Sequence, residues 1–326
     1  MPTAPTPRAE VVVVGAGVVG LTTAAVLAGT GLDVEVWSAD DPLDTASARA
    51  AGVWTPMSQA PLASSLAWAE RSLQEFCGLS RVPGSGVALV EGLTLTPHDT
   101  GGHLPPLTRL SPDLRDARPD ELPAGFPAGL RYRLPRIDMP RYVPWLVDRL
   151  TASGGRIRRH RVESLAEPLA SAPVVVNASG LGARDLGPDP AVRPVFSQYV
   201  VTDNPGLTRV VVDTTDQRRW VSIIPHPDRV HLGGVRVSGR DDDRPDRELA
   251  SDVLRRCREV EPALVDARVQ RVDTGLLPSR PTMRVETEQR DEGLVVHAYG
   301  HASGGVTVSW GVAHAVAELV ASGRDS

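Results

Sequence analysis

Four consecutive valines, Val11 to Val14, run directly into Gly15-Ala16-Gly17-Val18-Val19-Gly20, and no other feature of this 326-residue chain restricts its fold as strongly. An unbroken apolar run of this length reads as a parallel strand buried on both faces. Leu21 to Ala28 continues as an Ala- and Leu-rich helix that Gly29 and Gly31 stop, and Val34 to Trp37 reads as a second strand. The resulting βαβ unit has the expected length of about 30 residues. In that context Gly15 permits the tight turn, Gly17 lets the backbone approach a pyrophosphate, and Gly20 lets the helix pack on the strand. The amides of the helix N-terminus then face the phosphate charge. The usual acidic ribose ligand is missing after the second strand, where Ser38 stands with Asp40 two residues on; either can bond a ribose hydroxyl. The fingerprint alone does not separate NAD from FAD, although an NAD-dependent dehydrogenase is expected to carry an acid at position 38.

The length exceeds the usual single domain of about 100–200 residues. Pro173 to Gly180 reads as another strand ending in small residues, and Gly293 to Gly300 as a third, followed by a glycine-rich turn and a helix from Val306 to Ala321. A helix is expected from Met139 to Leu150, with short strands near Arg156 and Val162. Ala60 to Pro135 is rich in proline and glycine and reads as a loop-rich insertion or the start of a second domain. Val195 to Gly234 alternates like antiparallel strands, with a helix from Arg247 to Val260 packed on them. The expectation is an α/β protein. A Rossmann-type nucleotide domain is assembled from discontinuous segments 1–57, 138–190 and 272–326, and an α+β substrate domain with an antiparallel sheet from 58–137 and 191–271.

Composition removes several classes. The chain contains no lysine, so all 35 basic residues are arginine, and neither a pyridoxal-phosphate Schiff base nor a Walker lysine is available. The usage is that of a GC-rich genome, for which a bacterial source is expected. A net charge of −5 with scattered arginines gives no footprint for nucleic acid. No apolar run approaches the roughly 20 residues of a membrane span, so no membrane role is expected. The first ten residues lack the apolar core of a secretory signal, and the C-terminal Arg-Asp-Ser is no peroxisomal address. Cys77 and Cys257 form no CxxC or Cys/His cluster, which fits a reducing, cytoplasmic setting. His226, His231, His297 and His301 share no ligand spacing, so no metal is expected.

Six motifs in one order resemble the D-amino-acid oxidases, including their D-aspartate oxidase branch, over nearly the whole chain. They are VVVVGAGVVGLTTA at Val11 to Ala24, ARAAGVWTP at Ala48 to Pro56, VVVNASG at Val174 to Gly180, IIPHPDRVHLGG at Ile223 to Gly234, TGLLPSRPTMRVE at Thr274 to Glu286 and YGHASGGVTVSWG at Tyr299 to Gly311. The resemblance implies FAD as cofactor. It places Thr45, Ala46 and Ser47 at the pyrophosphate, the Gly52 and Val53 amides near flavin N5, and Val162 on the adenine side. Ser179 and Gly180 would line the nucleotide, the turn Gly304, Gly305 and Val306 would lead into the last helix, and Thr307 would face flavin O2. Arg280 would grip the substrate α-carboxylate through two parallel hydrogen bonds. The implied partners are an amino-acid substrate and molecular oxygen, with a homodimer as the assembly to test.

The chain also departs from that pattern. The two tyrosines that relatives carry around the roof strand are absent: Ser222 stands at the carboxylate-bonding position, and Trp220 is the nearest aromatic in Arg218 to Pro225. Ser303 replaces a glycine whose carbonyl takes the substrate amine, with Ala302 beside it, and Met57 at the pocket mouth reads as a gap filler. Arg236 matches an arginine that the D-aspartate branch uses for the side-chain carboxylate, although an edge-strand arginine is more often solvated. The altered roof leaves three readings open: a D-amino-acid oxidase, an oxidase of glycine, an N-methyl or an unusual amino acid, and a flavin-binding protein without turnover.

Overall fold

The computed structural model describes residues 9–55, 59–97, 110–213, 215–216 and 219–324; Met57 and Arg218 lie outside this range. The strands are β1 (Val11–Val14), β2 (Val34–Ser38), β3 (Val87–Thr96), β4 (Arg115–Asp116), β5 (Ala128–Ile137), β6 (Arg156–Arg159), β7 (Val174–Asn177), β8 (Arg193–Asp203), β9 (Val210–Asp213), β10 (Val221–Pro225), β11 (Arg229–Gly233), β12 (Arg236–Ser238), β13 (Val269–Arg290) and β14 (Gly293–His301). The helices are α1 (Val18–Gly29), α2 (Leu62–Leu79), α3 (Met139–Ala152), the single turns α4 (Ala166–Leu169) and α5 (Ala183–Leu186), α6 (Arg247–Val260) and α7 (Gly305–Arg324). Among the described residues all strands join one sheet of order β4-β5-β3-β9-β10-β11-β8-β13-β14-β7-β1-β2-β6, with β12 paired to β8.

β1 pairs in parallel with β2 and β7, and β14 with β7, which is the nucleotide half the sequence predicts. Val11 and Val13 pack into the core that holds α1, α2, α3 and α7, while Val12 and Val14 pack on the opposite face with Trp37, Val162 and Leu169. Burial of both faces explains the absence of alternation in β1. In the other half, Phe196, Val200, Val221, Ile223, Val230 and Leu232 bury against Val253, Cys257 and Val260 of α6. Each such side chain contributes roughly 1.5–3 kcal/mol relative to exposure.

β13 couples the halves. Its first part pairs with β8 as far as Ser279, its last part pairs with β14 from Arg284, and the register shifts between those two residues. The irregular stretch between Ser279, which also pairs with His301 of β14, and Arg284 contains Arg280, where the substrate half meets the nucleotide half.

Of the two readings of Ala60 to Pro135, the loop-rich insertion does not hold: the stretch contains the 18-residue helix α2, the ten-residue strand β3 and most of β5, and β3 and β5 pair over their full length. α2 packs in the nucleotide-side core through Ala69, Leu73, Phe76 and Leu79. No strand forms at Val162; the short strand there ends at Arg159. α7 is long and apolar enough to cross a membrane, but 61% of its most apolar window is buried inside the molecule, as in a core helix.

Candidate active site

The turn after β1 is fixed by sterics. Gly15 adopts φ +111°, and a Cβ there would stand 2.5 Å from the Ala178 carbonyl oxygen; a Cβ on Gly20 would stand 2.0 Å from the Gly15 carbonyl oxygen. Strand, turn and helix thus approach more closely than any side chain allows. Helix α1 starts after Gly17 without a side-chain cap of its own, and the Ser47 hydroxyl accepts from the Val18 amide at 3.0 Å. Ser47 therefore joins the helix N-terminus, where anionic groups are stabilised.

A cavity of about 690 Å³ opens over this turn, and Gly15, Ala16, Gly17, Ser38, Asp40, Thr45, Ala46, Ser47, Val162, Ser179 and Gly180 all line it. Its wall also contains Trp37 and His160, whose rings meet edge to face at 5.0 Å, while Arg158 lies 5.1 Å from the Trp37 ring on its own account. The sequence signals Trp37 and His160 only as a strand residue and a loop residue. The Ser38 hydroxyl donates to the Asp40 carbonyl at 2.8 Å, so the serine also orders the loop that follows β2.

A second cavity of about 140 Å³ shares Gly17, Ala46, Ser47 and Gly180 with the first and extends to Val18, Val19, Ser303, Gly305 and Val306. Gly20 lies beneath the turn, and Gly304 is buried next to Ser303. His301 lines this second space with its Nε2 unpartnered among the described residues, and burial pushes its pKa down to about 4, which leaves a neutral ring. Gly52 has φ +69°, and a Cβ there would stand 1.9 Å from the Ile137 carbonyl oxygen. Val53 forms a bridge with Arg136, and the His226 Nε2–H donates to the Ala51 carbonyl at 2.9 Å, so the segment is held on both sides. Thr307, buried at the start of α7, lies 3.4 Å from the Thr55 carbonyl oxygen.

These features form an elongated cradle with backbone amides at one helix N-terminus, a second helix N-terminus at the far end and apolar walls between. The residues present fit FAD: a phosphate-facing turn in the large space, and a smaller, mostly apolar space that reaches Gly305 and Val306 at the start of α7, while Gly52, Val53 and Thr307 line neither space.

Arg280 lines neither cavity. Its Nε donates to the Asp189 carboxylate at 2.9 Å and its Nη1 to the Thr282 carbonyl at 2.7 Å, while Gln59 Nε2 donates to the Arg280 and Gly300 carbonyls. Nη2 makes no hydrogen bond to a described residue. Arg236 gathers two of the expected roof residues: its Nη2 donates to the Ser303 hydroxyl at 2.8 Å, and its guanidinium sits 5.3 Å from the Trp220 ring. The Ser222 hydroxyl is buried on the adjoining strand without a partner among the described residues. His226 and His231 face each other at 5.2 Å, whereas His297 bonds Glu288; among the described residues no group of three or more acidic, Cys or His side chains could hold a metal.

The sequence profile of the family described as FAD dependent oxidoreductase matches residues 10–319. The D-amino-acid oxidase of Streptomyces coelicolor is 44% identical over 318 residues, covering 95% of this chain and 96% of that protein. The D-amino-acid oxidase of Rubrobacter xylanophilus is 40% identical over 312 residues, covering 95% of each. Among solved structures, glycine oxidase from Geobacillus kaustophilus superposes with a TM-score of 0.79 over 97% of this chain and 95% of that one, at 21% identity, a likeness of fold. A nucleotide cradle of this shape, a family profile spanning almost the whole chain and identities of this size place the protein in the D-amino-acid oxidase family of FAD-dependent oxidoreductases.

Proposed function

We propose that this chain oxidises D-amino acids, removing hydride from the substrate Cα to give an imino acid that water converts to a keto acid and ammonia. FAD, when bound, supplies the two-electron acceptor for that hydride and passes the electrons to molecular oxygen, which leaves as hydrogen peroxide. The observation that carries the reading is the continuity of the two cavities, which share their lining from the phosphate-facing turn and end at Ser303 beneath Arg236.

With FAD bound, the α1 amides and the Ser47 hydroxyl would hold its pyrophosphate, and the amides of Gly52 and Val53 would hold its ring system. Thr307 and the α7 N-terminus would supply a field that favours negative charge at that end of the cradle. Arg280, held by Asp189 and Thr282, presents its remaining N–H groups to the substrate α-carboxylate, and the Ser303 carbonyl receives the amine. With a neutral amine and an aligned Cα–H bond, positioning supplies most of the catalysis and no side-chain base is needed.

A second reading concerns the side chain. Arg236 is exposed, but its guanidinium is held by Ser303 and the Trp220 ring, and this favours a carboxylate-bearing D-amino acid. The unpaired thiols of Cys77 and Cys257 support a cytoplasmic setting. Peroxide release measured with D-alanine, D-aspartate, glycine, N-methylglycine and the L-enantiomers tests the proposal. Turnover of D-amino acids supports it, D-aspartate above D-alanine supports the second reading, and turnover confined to glycine or N-methylglycine contradicts both.

A further inference from the structure

Tyr199 is a half-buried tyrosine on the cofactor-facing side of the substrate sheet, and its hydroxyl makes no hydrogen bond to a described residue. Along β8 the side chains of Phe196 and Val200 point to the α6 face. Tyr199 therefore points the other way, toward the layer that holds Ala51 and Ile224. Its ring meets His231 edge to face at 6.1 Å.

The ring leans across Gly233. A Cβ on that glycine would stand 2.4 Å from Tyr199 Cε1 and 2.6 Å from Ser222 Oγ, so ring and hydroxyl flank one point. Ser222 Oγ is itself a buried hydroxyl without a partner among the described residues. Among the described residues neither the Tyr199 hydroxyl nor the buried Ser222 hydroxyl has a partner, and a buried hydroxyl such as that of Ser222 nearly always finds one. Arg236 supplies the field on this side: its charge opposes the rise that burial imposes on the Tyr199 hydroxyl pKa. Two open donors on the side of the sheet where Arg236 reaches Ser303 and the Trp220 ring fit an anionic, oxygen-rich group.

We propose that Tyr199 is a substrate-contacting residue whose hydroxyl donates to a carboxylate oxygen of the bound amino acid, next to the Ser222 hydroxyl. The ring is fixed by Gly233 and His231 before substrate arrives, so little rotamer freedom is lost on binding. A serine at 222 leaves room for the tyrosine to enter from β8, two strands away, and Gly233 supplies the gap through which it reaches.

The inference rests on the oxidase reading, and the test separates the two. FAD-loaded wild type, Tyr199→Phe, Tyr199→Ala and the double variant Tyr199→Ala/Ser222→Tyr are titrated with benzoate, a carboxylate with no hydride to give, by the change in flavin absorbance. KM and kcat for D-amino acids are measured alongside. Loss of one hydrogen bond to a charged group predicts roughly a tenfold or larger rise in benzoate Kd and in KM for Tyr199→Phe, with kcat within about twofold and FAD content unchanged. The double variant is expected to bind benzoate more tightly than Tyr199→Ala, because a tyrosine at 222 refills the same space from the other side. Wild-type Kd and KM in Tyr199→Phe overturn the proposal, as does a double variant no better than Tyr199→Ala. A wild-type enzyme that oxidises no D-amino acid yet binds benzoate through Tyr199 refutes the oxidase reading and keeps this one.

Discussion

Arg280 and Asp189 form a half-buried pair in which the guanidinium Nε donates to carboxylate Oδ2 at 2.9 Å, and the Tyr299 hydroxyl donates to the same oxygen at 2.9 Å. Burial works to raise the Asp189 pKa, but Tyr299, the Ala191 amide and Arg280 hold it below the ordinary carboxylate value. A depressed folded-state pKa gives stability that is present above about pH 4 and is lost as pH falls through the folded value, so the pair is intact at neutral pH. Arg280→Leu should lower kcat/KM for D-amino acids by at least tenfold, the cost of a charge-assisted pair worth about 1.5–3 kcal/mol, with FAD retained. Asp189→Asn should raise KM in the same direction but less, because the arginine loses its anchor and keeps its charge. Wild-type kinetics in Arg280→Leu would remove this residue from the site.

At the phosphate end, Ser47→Ala deletes the acceptor of the Val18 amide, a change comparable to losing a helix cap, about 1 kcal/mol. The FAD dissociation constant measured by fluorescence should rise about fivefold, with the fold intact. Gly15→Ala should be far more severe, since its Cβ would collide with the backbone of Ala178 at a positive φ; the expected product is a protein purified without flavin.

Selectivity should sit at the roof. If Arg236 holds a side-chain carboxylate, Arg236→Gln reduces kcat/KM for D-aspartate by tenfold or more and leaves D-alanine within about threefold. Parallel losses for both substrates would assign Arg236 to the roof's architecture instead.

Acid should weaken the protein through its buried histidines. Burial and the nearby His231 charge lower the His226 pKa to about 3, while its Nε2–H serves the Ala51 carbonyl. Below the unfolded value near 6.5 the unfolded chain binds a proton that the folded ring refuses, so stability is complete above that pH and declines as pH falls. One such histidine costs about 1.4 kcal/mol per pH unit. Thermal melts from pH 7.5 to 5 should show a falling Tm, with a shallower slope in His226→Gln, which keeps a donor for Ala51.

The nucleotide half was legible because its signals are local and agree with one another. A valine run, three glycines at fixed spacing and a short helix leave one arrangement, and β1, α1 and β2 take it. Helix α6 was equally plain, because its boundaries coincide with Arg247 and Val260. Helix α2 does carry a helical period, in Leu66, Ala69, Leu73 and Phe76, which pack in the nucleotide-side core. The prolines and glycines on either side of it outweighed that signal. Its contact with α7 is close: the Gly311 amide donates to the Ser72 hydroxyl at 3.0 Å, and a Cβ on Gly311 would strike the Trp68 carbonyl. The prolines that made Ala60 to Pro135 look like loop include Pro135 itself, which is paired within β5. At the roof, the sequence identified Ser222 and Trp220 but could not bring Tyr199 to them, because only the register of β8, β11 and β10 does so.

The most direct test of the central claim is an anaerobic absorbance spectrum of the FAD-loaded protein before and after addition of each D- and L-amino acid. Bleaching of the flavin band by D-amino acids and not by their L-enantiomers is the predicted result. A flavin band that remains oxidised with every D-amino acid would contradict the account.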